Sequence, residues 1–288
     1  MNLSITTLID NSVGMSDLDQ EDLTGEWGLS VLLRTNSRSI LFDTGRSGSV
    51  VSNARVLGVD LQAIDTIVLS HGHLDHTGGL RKVLQQVGKP VDVIAHPDVW
   101  EDKYIEISEE PERFINIPFR KQELERLGAV FVFSKEPFEI ADKIVTTGEI
   151  PLTNDFESIE PPENMRRYIK RKDWREDDLI LDDSALVVDS AQGLIVVLGC
   201  AHRGIINTLH HAQRITGKEK ILAVLGGAHL HDATEAHLRF VIKSLKKLEL
   251  QIVALNHCTG LSVACCLNQE LGDTFHFNPT GTKFDFEL

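Results

Sequence analysis

The 288-residue chain lacks a paired cysteine framework. Its four cysteines, Cys200, Cys258, Cys265 and Cys266, lie late in the sequence, and no CxxC pair is present. This excludes a disulfide scaffold and a zinc ribbon, and reduced thiols in the cytoplasm are expected. Long apolar runs are missing too. Nothing approaches the roughly 18 consecutive apolar residues of a membrane span, so no membrane partner is expected. The start, Met1-Asn2-Leu3-Ser4-Ile5, has neither the basic residues nor the apolar stretch of a secretion signal. Positive charge is scarce: 29 Lys and Arg stand against 43 Asp and Glu, a formal net charge of -14. That balance argues against a nucleic-acid partner. An anionic small molecule stays open as a substrate, because a bound cation reverses the sign locally. Repeats, low-complexity tracts, a Gly-rich phosphate loop and a nucleophile elbow are all absent.

Histidine and carboxylate, by contrast, are concentrated. Residues 71 to 76 read His71-Gly72-His73-Leu74-Asp75-His76, directly after the apolar run Ile64 to Leu69. Imidazole nitrogen and carboxylate oxygen are ligands for zinc and similar divalent ions. Four such groups in one turn repel one another and lose hydration unless a cation sits among them. His71 and His73 are spaced to chelate one ion, while Asp75 and His76 point toward a second position. The pattern suggests two ions roughly 3.5–4 Å apart. Zinc is the first expectation, with iron, manganese or magnesium as alternatives.

The order of elements supplies distant partners. Strands are expected at Leu3 to Ile9, Leu29 to Arg34, Ser39 to Phe42, Ile64 to Leu69 and Val91 to Ala95, with helices at Ser49 to Leu57 and Leu80 to Val87. Later, a hairpin of Ser184 to Asp189 and Leu194 to Leu198 precedes a helix at Ile205 to Arg214. The strand Ile221 to Leu225, the helix Thr234 to Leu248 and the strand Gln251 to Leu255 follow. Three late strands each end in a small-residue loop bearing a histidine: His202, His229 and His257. His202 and His257 are expected to be metal ligands, the alternative being core-edge histidines bonded to backbone. His229 is a substrate contact, a general acid or a loop histidine. Cys200 binds or bridges metal as thiolate, or is small buried filler. Asp43 is expected to orient a ligand imidazole. Asp75 is the group expected to orient a catalytic water. His210, His211, His237 and His276 are read as non-functional, and His96 as a turn former. Cys258 and Cys265-Cys266 are expected to pack a helix end.

One domain is expected over residues 1–288, α/β in class, interrupted at about 98–177 by a charge-rich insertion. The insertion is either a solvated face or a lid for substrate recognition. Its basic stretch, Arg166 to Arg175, suits a phosphorylated ligand.

The signature His71 to His76, with Asp43-Thr44-Gly45 before it, resembles the metallo-β-lactamase superfamily over almost the whole chain. That resemblance implies a four-layer αββα sandwich with metal at one sheet edge. Gly28-Leu29-Ser30, Thr147-Gly148-Glu149-Ile150-Pro151, Gly199-Cys200-Ala201-His202, Gly226-Gly227-Ala228-His229-Leu230 and His257-Cys258-Thr259-Gly260 are similar to one branch. That branch contains the 7,8-dihydropterin-6-methyl-4-(β-D-ribofuranosyl)aminobenzene-5'-phosphate synthases. It implies transfer chemistry, in which a dihydropterin methyl diphosphate loses diphosphate as an aromatic carbon is alkylated. The alternatives are a hydrolase of a phosphodiester, thioester or lactone, and a non-catalytic metal or ligand sensor. Two departures stand out: Cys200 replaces the superfamily's bridging aspartate, and Asp177, Asp178, Asp182 and Asp183 stand where its third histidine is usual. His202 is expected to compensate. Trp27 stands where the branch suggests a polar residue.

Overall fold

The computed structural model describes residues 2–14 and 22–288; Met1, part of the start expected to lack a secretion signal, lies outside the described residues. The first half runs β1 (Asn2–Ile9), β2 (Ser30–Arg34), β3 (Ser39–Phe42), α1 (Ser49–Val56), β4 (Thr66–Val68), the one-turn α2 (Leu74–Thr77), α3 (Leu80–Val87) and β5 (Val91–Ala95). The middle holds β6 (Lys103–Ile107), β7 (Arg113–Phe114), α4 (Lys121–Arg126), β8 (Ala129–Phe133), β9 (Phe138–Ala141), β10 (Ile144–Thr146), β11 (Met165–Lys170) and β12 (Arg175–Asp177). Then come β13 (Ala185–Ser190), β14 (Gly193–Leu198), α5 (Ile205–Thr216), β15 (Ile221–Gly227), α6 (Glu235–Lys247), β16 (Ile252–Asn256), α7 (Leu261–Leu271) and β17 (Lys283–Glu287).

Two mixed sheets form the centre. One has the order β17-β1-β2-β3-β4-β5-β8, the other β16-β15-β14-β13-β10-β9. Strand alternation sends successive side chains to opposite faces, and here both faces are buried. Leu33, Ile40 and Phe42 meet Leu186, Val188, Ile195 and Val197 between the sheets. Leu32, Leu41, Ile67 and Val93 turn outward onto α1 and α3. The second sheet's Leu194, Val196 and Val224 turn outward onto α5, α6 and α7. This is the αββα layering. Helix α3 shows why such a segment is helical: Leu80, Val83, Leu84 and Val87 fall on one face and are buried, and Gly88 ends it in the left-handed conformation.

The stretch expected as one insertion is divided by the structure. β8 joins the first sheet, and β9 and β10 join the second. Only its two flanks depart, pairing as a separate sheet of order β12-β11-β6-β7. The reason is apolar content: Ala129 and Ile144 are buried in the main body, whereas Arg113, Phe114 and Asp177 are exposed. Cys265 is exposed and Cys266 half-buried, both within α7, so neither packs a helix end as expected. No helix among the described residues is long and apolar enough to cross a membrane.

Candidate metal centre and its cavity

The parallel strands β4, β14, β15 and β16 point the same way, so the loops after them meet at one sheet edge. Their close approach is visible at Gly199, where a Cβ would stand 2.2 Å from Ser70 Oγ. Four non-glycine residues of these loops and of the Asp43 turn hold positive φ: Asp43 (58°), Ala201 (50°), His229 (45°) and His257 (51°). That conformation costs an L-residue about 1–2 kcal/mol, and such strain gathers at functional sites.

The loops bring together His71, His73, Asp75, His76, Cys200, His202 and His257. The Cys200 sulfur shares two groups of mutually close ligand atoms, one with His71 and His202 and one with His76 and His257, each within 4.8 Å. Cys200 therefore stands between the two positions, where filler alone was the other reading. His202 Nε2 lies 3.2 Å from His73 Nδ1, and the His71 and His73 ring centroids are 4.5 Å apart.

Hydrogen bonds decide which ring nitrogens are bare. His76 Nδ1 bonds Asp43 Oδ2 at 2.6 Å, which leaves its Nε2 facing His257 Nε2 at 3.2 Å and Cys200 Sγ at 3.1 Å. His257 Nδ1 meets Asn11 Oδ1 at 3.1 Å, which turns its Nε2 toward His76 Nε2 and toward Asp75 Oδ2, 3.4 Å away. Ser70 donates to Asp43 at 2.6 Å and meets His71 Nδ1 at 2.9 Å. His71 Nε2 and His73 Nε2 are buried without a partner. Lone pairs aimed at one another in a dry site call for a cation, so these residues fit a divalent metal. Without one, a proton takes that place: burial lowers His76, but Asp43 and Asp75 outweigh it and lift the imidazole to about 9. Burial drives His73 down to about 3. For Asp75, burial raises the carboxyl, yet the charge on His76 and the bond to His257 hold it far below the ordinary range. Burial, then His231 and Arg167, lower His229 to about 3, so its ring is neutral at pH 7 and unsuited to act as a charged acid.

The remaining expectations are placed as follows. His229 touches His202, with centroids 4.4 Å apart, and faces the cavity rather than either ligand group. Asp178 and Asp182 turn to Lys103 instead of the cluster, and Asp183 accepts the Arg203 N–H at 2.9 Å. His96 accepts the Asp98 N–H at 3.1 Å and shapes a turn. His211 bonds Thr147 O at 2.9 Å. Cys258, expected at a helix end, is buried beside Cys200, and its sulfur accepts the His229 N–H at 3.2 Å. Cys258 and His231 went unread as site residues. The alternate spacing of His229 and His231, like that of His71 and His73, was the available signal.

A cavity of about 370 Å³ opens above the cluster. His73, Asp75, Cys200, His202 and His229 form one wall. Trp27, Ile105, Phe114 and Met165 supply apolar surface, and Arg46, Arg113 and Arg167 line the same space. Most of the basic stretch expected to face a ligand is spent elsewhere. Arg166 pairs with Asp177, Lys170 with Glu112, Arg171 with Glu101 and Glu176, and Arg175 with Glu106 and Glu112. Arg167 alone of these reaches the cavity, and its Nε is buried without a partner.

Comparison with known proteins agrees with this geometry. The Metallo-beta-lactamase superfamily model matches residues 24–148. The chain is 31% identical over 284 residues to the 7,8-dihydropterin-6-methyl-4-(beta-D-ribofuranosyl)-aminobenzene-5'-phosphate synthase of Methanocaldococcus jannaschii, covering 95% of this chain and 93% of that one. The crystal structure of Tm1679, a metal-dependent hydrolase of the beta-lactamase superfamily, superposes with a TM-score of 0.81 at 27% identity, covering 99% of this chain and 100% of that one. The metallo-beta-lactamase fold protein YhfI from Bacillus subtilis shares the fold alone, with a TM-score of 0.59 at 12% identity over 99% of this chain and 100% of that one. From its histidine turn to its layer order, the chain belongs to the metallo-beta-lactamase superfamily.

Proposed function

We propose that this protein is a metal-dependent transferase acting on an anionic small molecule, a planar ring bearing a methyl diphosphate. The observation that carries this reading is the shared cavity: a His/Cys cluster, an apolar aromatic wall and three arginines line one space. The M. jannaschii relative, whose name describes a dihydropterin methyl joined to a ribofuranosylaminobenzene phosphate, supports it.

In the proposed reaction the bond from the methyl carbon to diphosphate breaks, with its electron pair leaving on diphosphate. A bond forms from that carbon to the acceptor's aminobenzene group, which loses a proton to the departing diphosphate. His71, His73, Asp75, His76, Cys200, His202 and His257 would hold divalent ions, zinc first, and ions bound there would supply positive charge for a departing diphosphate. Arg167, with a buried and unpartnered Nε, binds a phosphate oxygen by a charge-assisted hydrogen bond. Trp27, half-exposed beside His257 at 5.4 Å between ring centroids, stacks on a flat ring. Neutral His229 lines the cavity, where it is placed to hydrogen-bond the substrate. The sheet of β6, β7, β11 and β12 acts as the recognition lid.

Hydrolysis is the second reading, favoured by Asp75, whose Oδ2 lies 3.4 Å from His257 Nε2 at the cavity wall, where it can orient a water. The test is diphosphate release from a dihydropterin methyl diphosphate by the zinc-loaded protein, with and without an aminobenzene ribose phosphate. Release that requires the acceptor supports transfer. Release without it supports hydrolysis. No release from either mixture, nor from phosphodiester, thioester and lactone substrates, refutes both and leaves a sensor.

A further inference from the structure

A buried charge behind the histidine turn has no part in the chemistry above. Lys103, on β6, has no exposed surface. Its ammonium pairs with Asp182 Oδ1 and lies 3.9 Å from Asp178 Oδ2. Asp182 is equally buried, and its other oxygen accepts the Gly72 N–H at 2.8 Å. Gly72 is the residue between His71 and His73. The carboxylate thus holds the first of the two peptides that separate those imidazoles.

The same segment grips the turn at two further points. Ile115 O accepts the Leu74 N–H at 2.7 Å. Asn116 donates to Val99 O at 2.6 Å and Glu101 O at 2.7 Å, and closes over Gly72 so tightly that a Cβ there would lie 2.1 Å from its Oδ1. Lys103 and Ile105 fall on one face of β6, since side chains alternate along a strand. Ile105 lines the cavity. One strand therefore reaches the cavity with one side chain and the metal turn with the other.

Burying an ammonium and a carboxylate carries a desolvation cost of several kcal/mol per ion before pairing offsets it. Apolar residues of similar volume would serve stability as well or better. What they cannot supply is an acceptor of fixed direction for the Gly72 amide. We propose that the Lys103–Asp182 pair is a positioning device that sets the His71–His73 spacing for the metal and ties it to the cavity wall. It rests on the reading of His71 and His73 as ligands. Lys103 belongs to neither ligand group among the described residues.

The test measures zinc affinity by chelator competition, together with melting of the metal-free protein, for wild type, His73→Ala, Lys103→Met, Lys103→Met/Asp182→Leu and Lys170→Met. The double variant removes the close pair together with the acceptor of the Gly72 N–H, so its metal-free melting falls less than that of Lys103→Met alone, which strands Asp182 as well as Asp178. Its zinc affinity is expected to fall about tenfold to a hundredfold, the usual effect of removing a partner that orients a ligand. Lys170→Met, which breaks a half-exposed pair with Glu112 on the same sheet, is expected to leave affinity unchanged. Wild-type affinity in the double variant, with loss in His73→Ala, overturns the positioning role and keeps the ligands. Full affinity in His73→Ala overturns the ligand reading itself. If no Lys103 variant folds, hydrogen exchange on metal-stripped wild type decides. Protected Gly72 and Leu74 amides support the device, and free exchange refutes it.

Discussion

At the residue scale, Cys200 carries the most specific chemistry. Its sulfur belongs to both groups of candidate ligands and offers each a soft atom. Burial pushes its thiol well above the ordinary range, as does a hydrogen bond with Cys258, so deprotonation depends on a cation nearby. Soft ligands favour zinc over manganese. Cys200→Ser is therefore expected to weaken zinc at least about tenfold and manganese little, measured by competition with a chromophoric chelator. Equal, small losses for both ions would return Cys200 to the role of filler. Arg167 gives a second expectation. The charge-assisted bond proposed for it to a phosphate oxygen would be worth about 1.5–3 kcal/mol, so Arg167→Met is expected to raise KM about tenfold to a hundredfold with kcat nearly unchanged. A fall in kcat at constant KM would place Arg167 in the chemistry instead. The histidine turn was legible in sequence because its ligands are neighbours in the chain. Arg46, Arg113, His231 and Cys258 were not, because only tertiary packing brings them to the cavity.

At the element scale, legibility followed burial. Apolar strands such as β5, β13 and β14 read cleanly from their own residues. The sheet of β6, β7, β11 and β12 did not, since its strands alternate opposite charges that pair across it, a pattern shared with solvated loops. Lys103 is the extreme case: lysine predicts an exposed position, and Asp182, with Asp178 behind it, explains its burial. Helix α5 shows a similar long-range device at its N-terminus. Its start has no capping side chain of its own. Glu157, fifty residues upstream, accepts the Ile206 and Asn207 amides, both at 2.7 Å. Glu157→Ala is expected to cost about 1–2 kcal/mol in urea unfolding, and Glu157→Gln less, since one acceptor remains. Burial raises the Glu157 pKa despite those amides. The folded state therefore holds the proton more tightly than the unfolded chain. The stability from this linkage is full below the ordinary value of 4.5 and lost as pH rises through the raised one. Relative to Glu157→Gln, wild type should gain stability on acidification through that window. A gain on alkalinisation would reverse the assignment.

At the scale of the whole molecule, the two sheets and their helices form their cores without help from the site, as the three apolar clusters show. The site sits at one edge, where four strand ends meet, and its strained backbone and bare imidazoles oppose that stability. Metal removal should therefore lower stability without unfolding the protein. An ion present at about 1,000 times its Kd contributes about 4 kcal/mol, and in a chain of this size each kcal/mol moves Tm by about 2–4 °C. Chelation is expected to lower Tm by about 10 °C while the far-UV circular dichroism at 25 °C stays the same. Hydrogen exchange should separate the two regions further. Amides of β13, β14 and β15 should keep their protection, while those of the loops after β14, β15 and β16 should lose it. The turn at 71–76 should loosen less than those loops, because Asp43 and Asp182 hold it independently of any ion. Global unfolding on chelation would mean that the metal, rather than the apolar layers, determines whether the two sheets dock.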